Sequence, residues 1–479
     1  MRVNRFGRPG SPVSLTVGVM GAGVGLAIGI LAGLQPLLLF LGIFAIVVLI
    51  CFFNYFEQTV LGLLILRSSL DIFSAQQLPA VFAIGVDALT LLYVALRLLL
   101  GQRVTTDKFF WFFAAWVATQ GLWVILLPLG GLGLDGSYLS DGIREWLRLF
   151  SWLMIYLLVM QLKERIHPEK LVSYLFLSLV IPLAVGFVQV VLPASLLPSF
   201  LIYGGDSDTS LTYEVGARLN GTLGHPNSFA TFLLFFIALT CWKLGHAKRR
   251  LPWIILLCLL AFFLVSTKAI FILAMLCIFL AVLIVPRLSL PKVVASLIFL
   301  AIVLAIYAST EYGRERLISV TGTPLLNPEI SLSDSILLSW SDNNSFNWRI
   351  AQWTFLLQSW TNSPLLGFGL DTSPYLSVLE NYAHNDYIRA LVETGIIGFL
   401  TFLVFLGAQF IYLVHCLNSP NSTHNQRRLC TVLIALLIAV TIGMFTDNIW
   451  SHTAFFFYWW TMFAIAGWNW NKKSYLISN

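Results

Sequence analysis

The sequence predicts an all-α, polytopic integral membrane protein of about 12–14 transmembrane helices with two long loops on the same face. Three observations predict it. First, 58% of the 479 residues are hydrophobic and only 10% are charged, whereas soluble domains carry about 25% charged residues. Second, several apolar runs reach the roughly 20 residues needed to cross the hydrocarbon core. Third, Lys and Arg recur in clusters between those runs, as they do in cytoplasmic loops of membrane proteins. A water-exposed enzyme, a disordered chain and a secreted disulfide scaffold are excluded. The net charge of +6 is accounted for by those loops, so no nucleic-acid partner is expected; membrane lipids are.

The chain reads as a single membrane domain over 1–479. The first apolar run, Val13–Leu34, follows the basic stretch Met1–Arg8. It is too long for a signal-peptide core and lacks a small-residue cleavage site, so it reads as an anchor. Basic clusters follow at Arg103 and Lys108, Lys163 to Lys170, Lys243 to Arg250, Arg287 and Lys292, Arg427 and Arg428, and Lys472 and Lys473. Crossing and returning between them predicts spans near 13–34, 36–56, 59–78, 80–100, 108–129, 144–162, 170–192, 227–243, 251–265, 269–286, 292–309, 388–416, 429–449 and 452–470. The third is interrupted by Arg67, Ser68, Ser69 and Asp71, and a broken segment is tolerated only when buried in protein. Twelve spans would preserve the same sidedness.

Two external loops are long, 193–227 and 310–387. The second holds an amphipathic helix near 346–360, where Ile350, Trp353, Leu356, Leu357 and Trp360 fall at helical spacing beside Arg349 and Gln352. The six cysteines have no metal-ligand spacing and read as small apolar fillers.

The same rule marks the basic residues on the wrong side: Arg67, Arg144, Arg148, Arg218, Lys268, Arg314, Arg316, Arg349 and Arg389. Arg144 and Arg148 flank Glu145, and Arg314 and Arg316 sit near Glu311 and Glu315, so solvated ion pairs account for those four. Arg218 lies in a turn-rich stretch before a span, and Lys268 in the tight hairpin Val265-Ser266-Thr267-Lys268. Ionisable groups at such depth are costly and are functional candidates. Converging cations suit a phosphate or pyrophosphate; the alternative is headgroup binding by snorkelling side chains. Among the outer histidines, His225, His384 and His452, none is paired at metal-ligand spacing, so no metal and no other cofactor is expected. His384 closes the longest outer loop, in Tyr382-Ala383-His384-Asn385-Asp386, and an imidazole there can take a proton from a hydroxyl near neutral pH. Asp386 and Glu393 are rival bases, Glu393 expected deeper in the bilayer.

His384-Asn385, nine residues, then Gly395-Ile396-Ile397-Gly398 resembles the H-N-x9-G-x-x-G pattern of the O-antigen ligase family. These are polytopic glycosyltransferases acting on polyprenyl-diphosphate-linked glycans at the outer face of the inner membrane. Asn347-Trp348-Arg349-Ile350 through Trp360, then Ser363 to Gly369, is similar to the family's second outer loop. Arg218-Leu219-Asn220-Gly221 followed by His225-Pro226-Asn227 resembles its first. Where many relatives have Ser-Arg in the hairpin, this chain has Thr267-Lys268, which keeps the charge but loses bidentate phosphate geometry.

The resemblance implies an inverting, metal-independent transfer of glycan from a polyprenyl diphosphate to a glycan or lipid-anchored acceptor, at the periplasmic side of the inner (plasma) membrane. His384 is then the base, Arg218, Arg349 and Lys268 contact the diphosphate, and Asn385 holds the loop or orients His384. Gly395 and Gly398 are expected to pack closely against another helix. Ligase and repeat-unit polymerase share these motifs and differ in the acceptor; the histidine motif leans to the ligase. The rival from another class is a small-solute transporter, for which Asp87 inside the fourth span and the broken third span are the best arguments. A transporter site is expected near the bilayer midplane in paired broken helices, whereas these candidates cluster at one face.

Overall fold

In a computed structural model of the chain, the described residues are 46–134, 136–202, 218–284, 345–471 and parts of 289–341. The span expected at 13–34, residues 36–45 of that at 36–56, most of that at 292–309, and the pairing expected between Arg314, Arg316 and their neighbouring glutamates lie outside them. The chain divides into two compact units, Met1–Val60 and Leu61–Asn479. Of the first, residues 46–54 and 56–60 are helical; the principal helices belong to the second.

Every regular element of that unit, among the described residues, is a helix. The principal ones are α1 (Leu78–Leu99), α2 (Lys108–Leu126), α3 (Leu139–Met160), α4 (Pro168–Val191), α5 (Pro226–Leu244), α6 (Leu251–Ser266), α7 (Ile270–Ile284), α8 (Ser345–Trp360), α9 (Asp386–Asn418), α10 (His424–Gly443) and α11 (Thr453–Ala466). Six of them, α1, α2, α4, α5, α9 and α10, are long and apolar enough to cross a membrane. This is a polytopic helical membrane protein.

One of the expected segments needs correction. The run at 429–449 is helical only to Gly443; residues 444–452 form a loop that turns the chain into α11. The run at 59–78 is broken at the polar residues that interrupt it in the sequence. Its helix ends at Leu66, and the 3₁₀ turns Arg67–Ser69 and Asp71–Gln76 follow. The break is held inside the protein: Arg67 pairs with Asp71 at 2.6 Å and donates to Thr453 Oγ1 at 2.7 Å, while Ser68 Oγ donates to the Ser178 carbonyl at 2.7 Å. Asp87, the other argument for a transporter, is buried between α1 and α3, where Ser151 Oγ donates to it at 2.5 Å.

Helices α5 and α11 are apolar all round, and both are buried along most of their length, as that pattern requires. Aromatic rings tie α11 to its neighbours. Phe113 of α2 meets Trp460 with centroids 4.4 Å apart, and Trp152 of α3 stacks on Phe456 at the same separation. Trp116 of α2 stacks on Phe405 of α9 at 4.0 Å. Such pairs add about 0.5–1.5 kcal/mol each beyond their buried area. Outward faces remain apolar, with Val81, Ile84, Val404 and Ile411 exposed, a surface suited to acyl chains.

Helix α9 is interrupted. Gly395 has φ 64 and ψ −172, a conformation open essentially to glycine alone. Segment 363–369 lies along the break and satisfies its backbone: Ile396 N donates to Pro364 O at 2.9 Å, Ile397 N to Leu365 O at 3.2 Å, Phe368 N to Val392 O at 3.3 Å and Gly369 N to Glu393 O at 2.8 Å. A Cβ on Gly395 would strike the Leu365 carbonyl. Gly395 therefore admits a loop, not the helix expected, whereas Gly398 does face a helix, with a Cβ position 3.0 Å from Trp123 of α2.

Candidate functional site

The residues that carry chemistry meet where α5, α9 and α11 begin and α10 ends. The loop before α5 is fixed from below. Thr222 Oγ1 donates to the Ser68 carbonyl at 2.6 Å, Gln189 Nε2 to Asn220 Oδ1 at 2.6 Å, and Gly221 N to Gln189 Oε1 at 3.0 Å. The broken segment thus serves as a seat for the loop that presents Arg218. His225 then caps α5, its Nδ1 accepting from Asn227 N at 3.1 Å. Burial, with the neighbouring His452 adding to it, pushes the His225 imidazole down to about 4, so it is neutral near pH 7 and able to accept that bond.

The loop before α9 is clamped from two sides. From α8, Trp353 Nε1 donates to the Ala383 carbonyl at 2.6 Å and Gln352 donates to that of Asn381. The most deeply buried α8 positions are Ala351, Gln352 and Leu356, while Leu357 is exposed, so the buried stripe is rotated from the one expected and includes a polar anchor. From the other side, Asp386 N donates to Met444 O at 2.8 Å, and Asp386 Oδ2 accepts from Trp450 N at 2.8 Å. Asn385 caps α9, its Oδ1 accepting from Tyr387 N at 3.0 Å and Ile388 N at 3.1 Å. Between the clamps His384 takes φ 47, a left-handed conformation uncommon outside glycine.

That conformation aims His384 at Asp447, in the loop between α10 and α11. His384 Nδ1 lies 3.1 Å from Asp447 Oδ1. The other carboxylate oxygen accepts from Asn227 Nδ2 at 2.8 Å, and His452 Nε2 stands 3.8 Å from it. His452 Nδ1 is 3.0 Å from Thr231 Oγ1 of α5. Burial alone would push the Asp447 carboxyl up. The His384 hydrogen bond and the charges of His452, His384 and Arg349 outweigh it and hold the group down at about 2. Burial pushes His452 down to about 4 against the pull of Asp447. Near neutral pH the site therefore holds an ionised Asp447 beside a neutral His452.

Arg218 joins this cluster through Asn227. Its Nη2 donates to Asn227 Oδ1 at 2.9 Å and its Nε to the Thr267 carbonyl at 3.1 Å. Thr267 precedes Lys268 in the α6–α7 hairpin, and Lys268 has φ 53 and is exposed. Arg349 stands on α8 next to Trp348, whose ring is 5.7 Å from the His384 ring. The structure so brings His384, Arg218 and Arg349 around one carboxylate, with the Lys268 hairpin bonded to Arg218. Among the described residues, no three His, Cys, Asp or Glu side chains are grouped to hold a metal ion.

Asp386 and Glu393, the rival bases, are buried in structural roles. Glu393 accepts from Asp371 N at 3.0 Å, Ser373 N at 3.3 Å and Arg389 Nε at 3.0 Å. Arg389 also pairs with Asp371 at 2.7 Å and Glu145 at 3.4 Å, and donates to Ser451 Oγ at 2.8 Å. Burial pushes the Asp371 carboxyl up to about 7, Arg389 opposing it. Arg148 pairs with Glu145, but the pair is withdrawn from solvent and not solvated as expected; Arg144 reaches Asp141 instead, at 3.7 Å. Arg389→Ala would leave buried carboxylates uncompensated, a loss of about 3–5 kcal/mol. We expect a large fall in the thermal midpoint in detergent, and an unchanged midpoint would refute the hub.

Asp447 is the residue that sequence reasoning missed, together with the bridging role of Asn227. Its available signal was an acid and a histidine, Asp447 and His452, five positions apart between two apolar runs.

No curated protein matches the chain. Residues 253–403, from α6 into α9, match the family model described as O-antigen ligase, so this part of the chain is similar to that superfamily, as its motifs led us to expect.

Proposed function

We propose that the protein transfers glycan from a polyprenyl-diphosphate-linked donor to an acceptor hydroxyl at the periplasmic face of the inner membrane, as a ligase of surface polysaccharide. The observation that carries this reading is the His384 Nδ1–Asp447 Oδ1 contact of 3.1 Å with Arg218 and Arg349 beside it. A carboxylate on Nδ1 fixes the tautomer that leaves Nε2 to accept a proton. His384 Nε2 takes the proton of the acceptor hydroxyl as its oxygen attacks the anomeric carbon. The bond from that carbon to the phosphate oxygen breaks, and the diphosphate leaves with the electron pair. Attack opposite the leaving group inverts the configuration. Arg218 and Arg349, with Lys268, meet the charge that develops on the diphosphate, and no metal is needed for that work. The segments ahead of α5 and α9, which carry Arg218 and His384, admit both substrates from the periplasmic side.

The test is the lipid-linked glycan pool in cells whose only copy carries His384→Ala. Long polymers stranded on the lipid are expected for a ligase; accumulation of single repeat units would make the protein a repeat-unit polymerase. A pool identical to wild type, with the variant present in the membrane, would overturn the assignment of His384.

A further inference from the structure

We propose that Asn227 is a positioning residue that couples the donor-binding cation to the base, an inference that rests on the roles given above to Arg218 and His384. Its side chain is the bridge between them. Oδ1 accepts from Arg218 Nη2 at 2.9 Å, and Nδ2 donates to Asp447 Oδ2 at 2.8 Å, while Asp447 Oδ1 faces His384 Nδ1 at 3.1 Å. The guanidinium can only donate and the carboxylate can only accept, so the amide has one orientation available. Asn227 is itself buried, in the first turn of α5, and its backbone N–H is held by His225 Nδ1. Its position is thus set by the central helix.

The chemistry asks for an amide here. A carboxylate would pair directly with Arg218 and compete with the diphosphate for it. It would also stand against Asp447, and two carboxylates in contact do not both ionise at the usual pH. An amide holds both partners, keeps the charge of Arg218 available to an anion, and adds a donor to Asp447 that orients its other oxygen toward His384. The charged and titratable groups facing this bridge are Arg218 and His225 before α5, His384 before α9, Asp447 and His452 before α11, and Arg349 on α8.

The experiment is steady-state transfer by the full chain in proteoliposomes, with a polyprenyl-diphosphate-linked oligosaccharide as donor, measured over pH. Asn227→Asp is nearly the same size as the native side chain. It is expected to raise the donor KM about tenfold, as one charge-assisted contact is diverted, and to move the acid limb of kcat/KM up by about one pH unit. Asn227→Ala adds no charge; it is expected to lower kcat by about 10- to 100-fold with the acid limb in place. If Asn227→Asp lowers kcat while donor KM and acid limb stay at wild-type values, Asn227 is only structural and the coupling is refuted. His384→Ala runs in the same assay: retained transfer there would overturn the proposed function, and the coupling with it, whatever the Asn227 variants do.

Discussion

Asp447→Asn is expected to lower transfer by about 10²–10⁴-fold, the range a general base contributes, while the protein stays folded in the membrane. The native carboxylate offers two acceptors to two donors, His384 Nδ1 and Asn227 Nδ2. An amide offers one acceptor and one donor group. If its oxygen turns to His384, two amide NH₂ groups confront each other at the Asn227 contact. If its NH₂ turns to His384, Nδ1 must become the acceptor, and the proton moves to Nε2, the atom needed as base. Both arrangements damage the site without changing its volume. The wild-type carboxyl, held at about 2, is ionised throughout the working range. Its folded-state value lies below the ordinary one, so the stability it supplies is complete above about pH 4 and is lost as pH falls toward 2. Loss of activity near pH 5 therefore belongs to another group. Initial rates in proteoliposomes decide the matter: transfer within tenfold of wild type would remove Asp447 from the mechanism.

How Asp447 escaped a reading of the sequence has a physical reason. The helices are legible because a bilayer demands a minimum apolar length, and α1 to α7, α9 and α11 fall where the hydropathy puts them. The end of α10 is not, since Phe445, Ile449 and Trp450 are as apolar as the helix before them. Burial of Ile449 and Trp450 against protein makes apolar residues useful in a loop, and hydropathy cannot separate the two uses. The positive-inside rule singles out cations on the wrong side, which is how Arg218, Lys268 and Arg349 come to notice. It is silent about an anion, so a carboxylate that gathers those cations leaves no trace in charge bookkeeping. Arg67 and Arg389 carry the same wrong-side signature, yet the fold neutralises them with Asp71 and with Glu145, Asp371 and Glu393. Only the partner, fixed by tertiary structure, separates a site cation from a structural one.

The largest stability effect is expected at Gly395, and it bears on the site at a distance. Gly395→Ala should destabilise the fold by about 2–6 kcal/mol, combining about 1–3 for a backbone conformation that side chains avoid with about 1–3 for overpacking. The obstacle is the Leu365 carbonyl and the Leu366 nitrogen, main-chain atoms that cannot rotate aside. Relief requires segment 363–369 to move off α9, and that exposes the four backbone hydrogen bonds between 364–369 and 392–397 within or near the bilayer, where unsatisfied backbone is costly. The same displacement releases the turn from Asp386 to Thr394, whose start carries Asn385 and His384. Gly407→Ala is the matched control, twelve residues on in the same helix. Its new methyl meets no atom within 4 Å, so a change of no more than about 1 kcal/mol, in the stabilising direction, is expected. Thermal midpoints in detergent should place Gly407→Ala at or above wild type and both well above Gly395→Ala. Equal midpoints for the two variants would mean that the interruption in α9 is not what holds the loop, and that the clamp on His384 comes from α8 and the 444–452 loop alone.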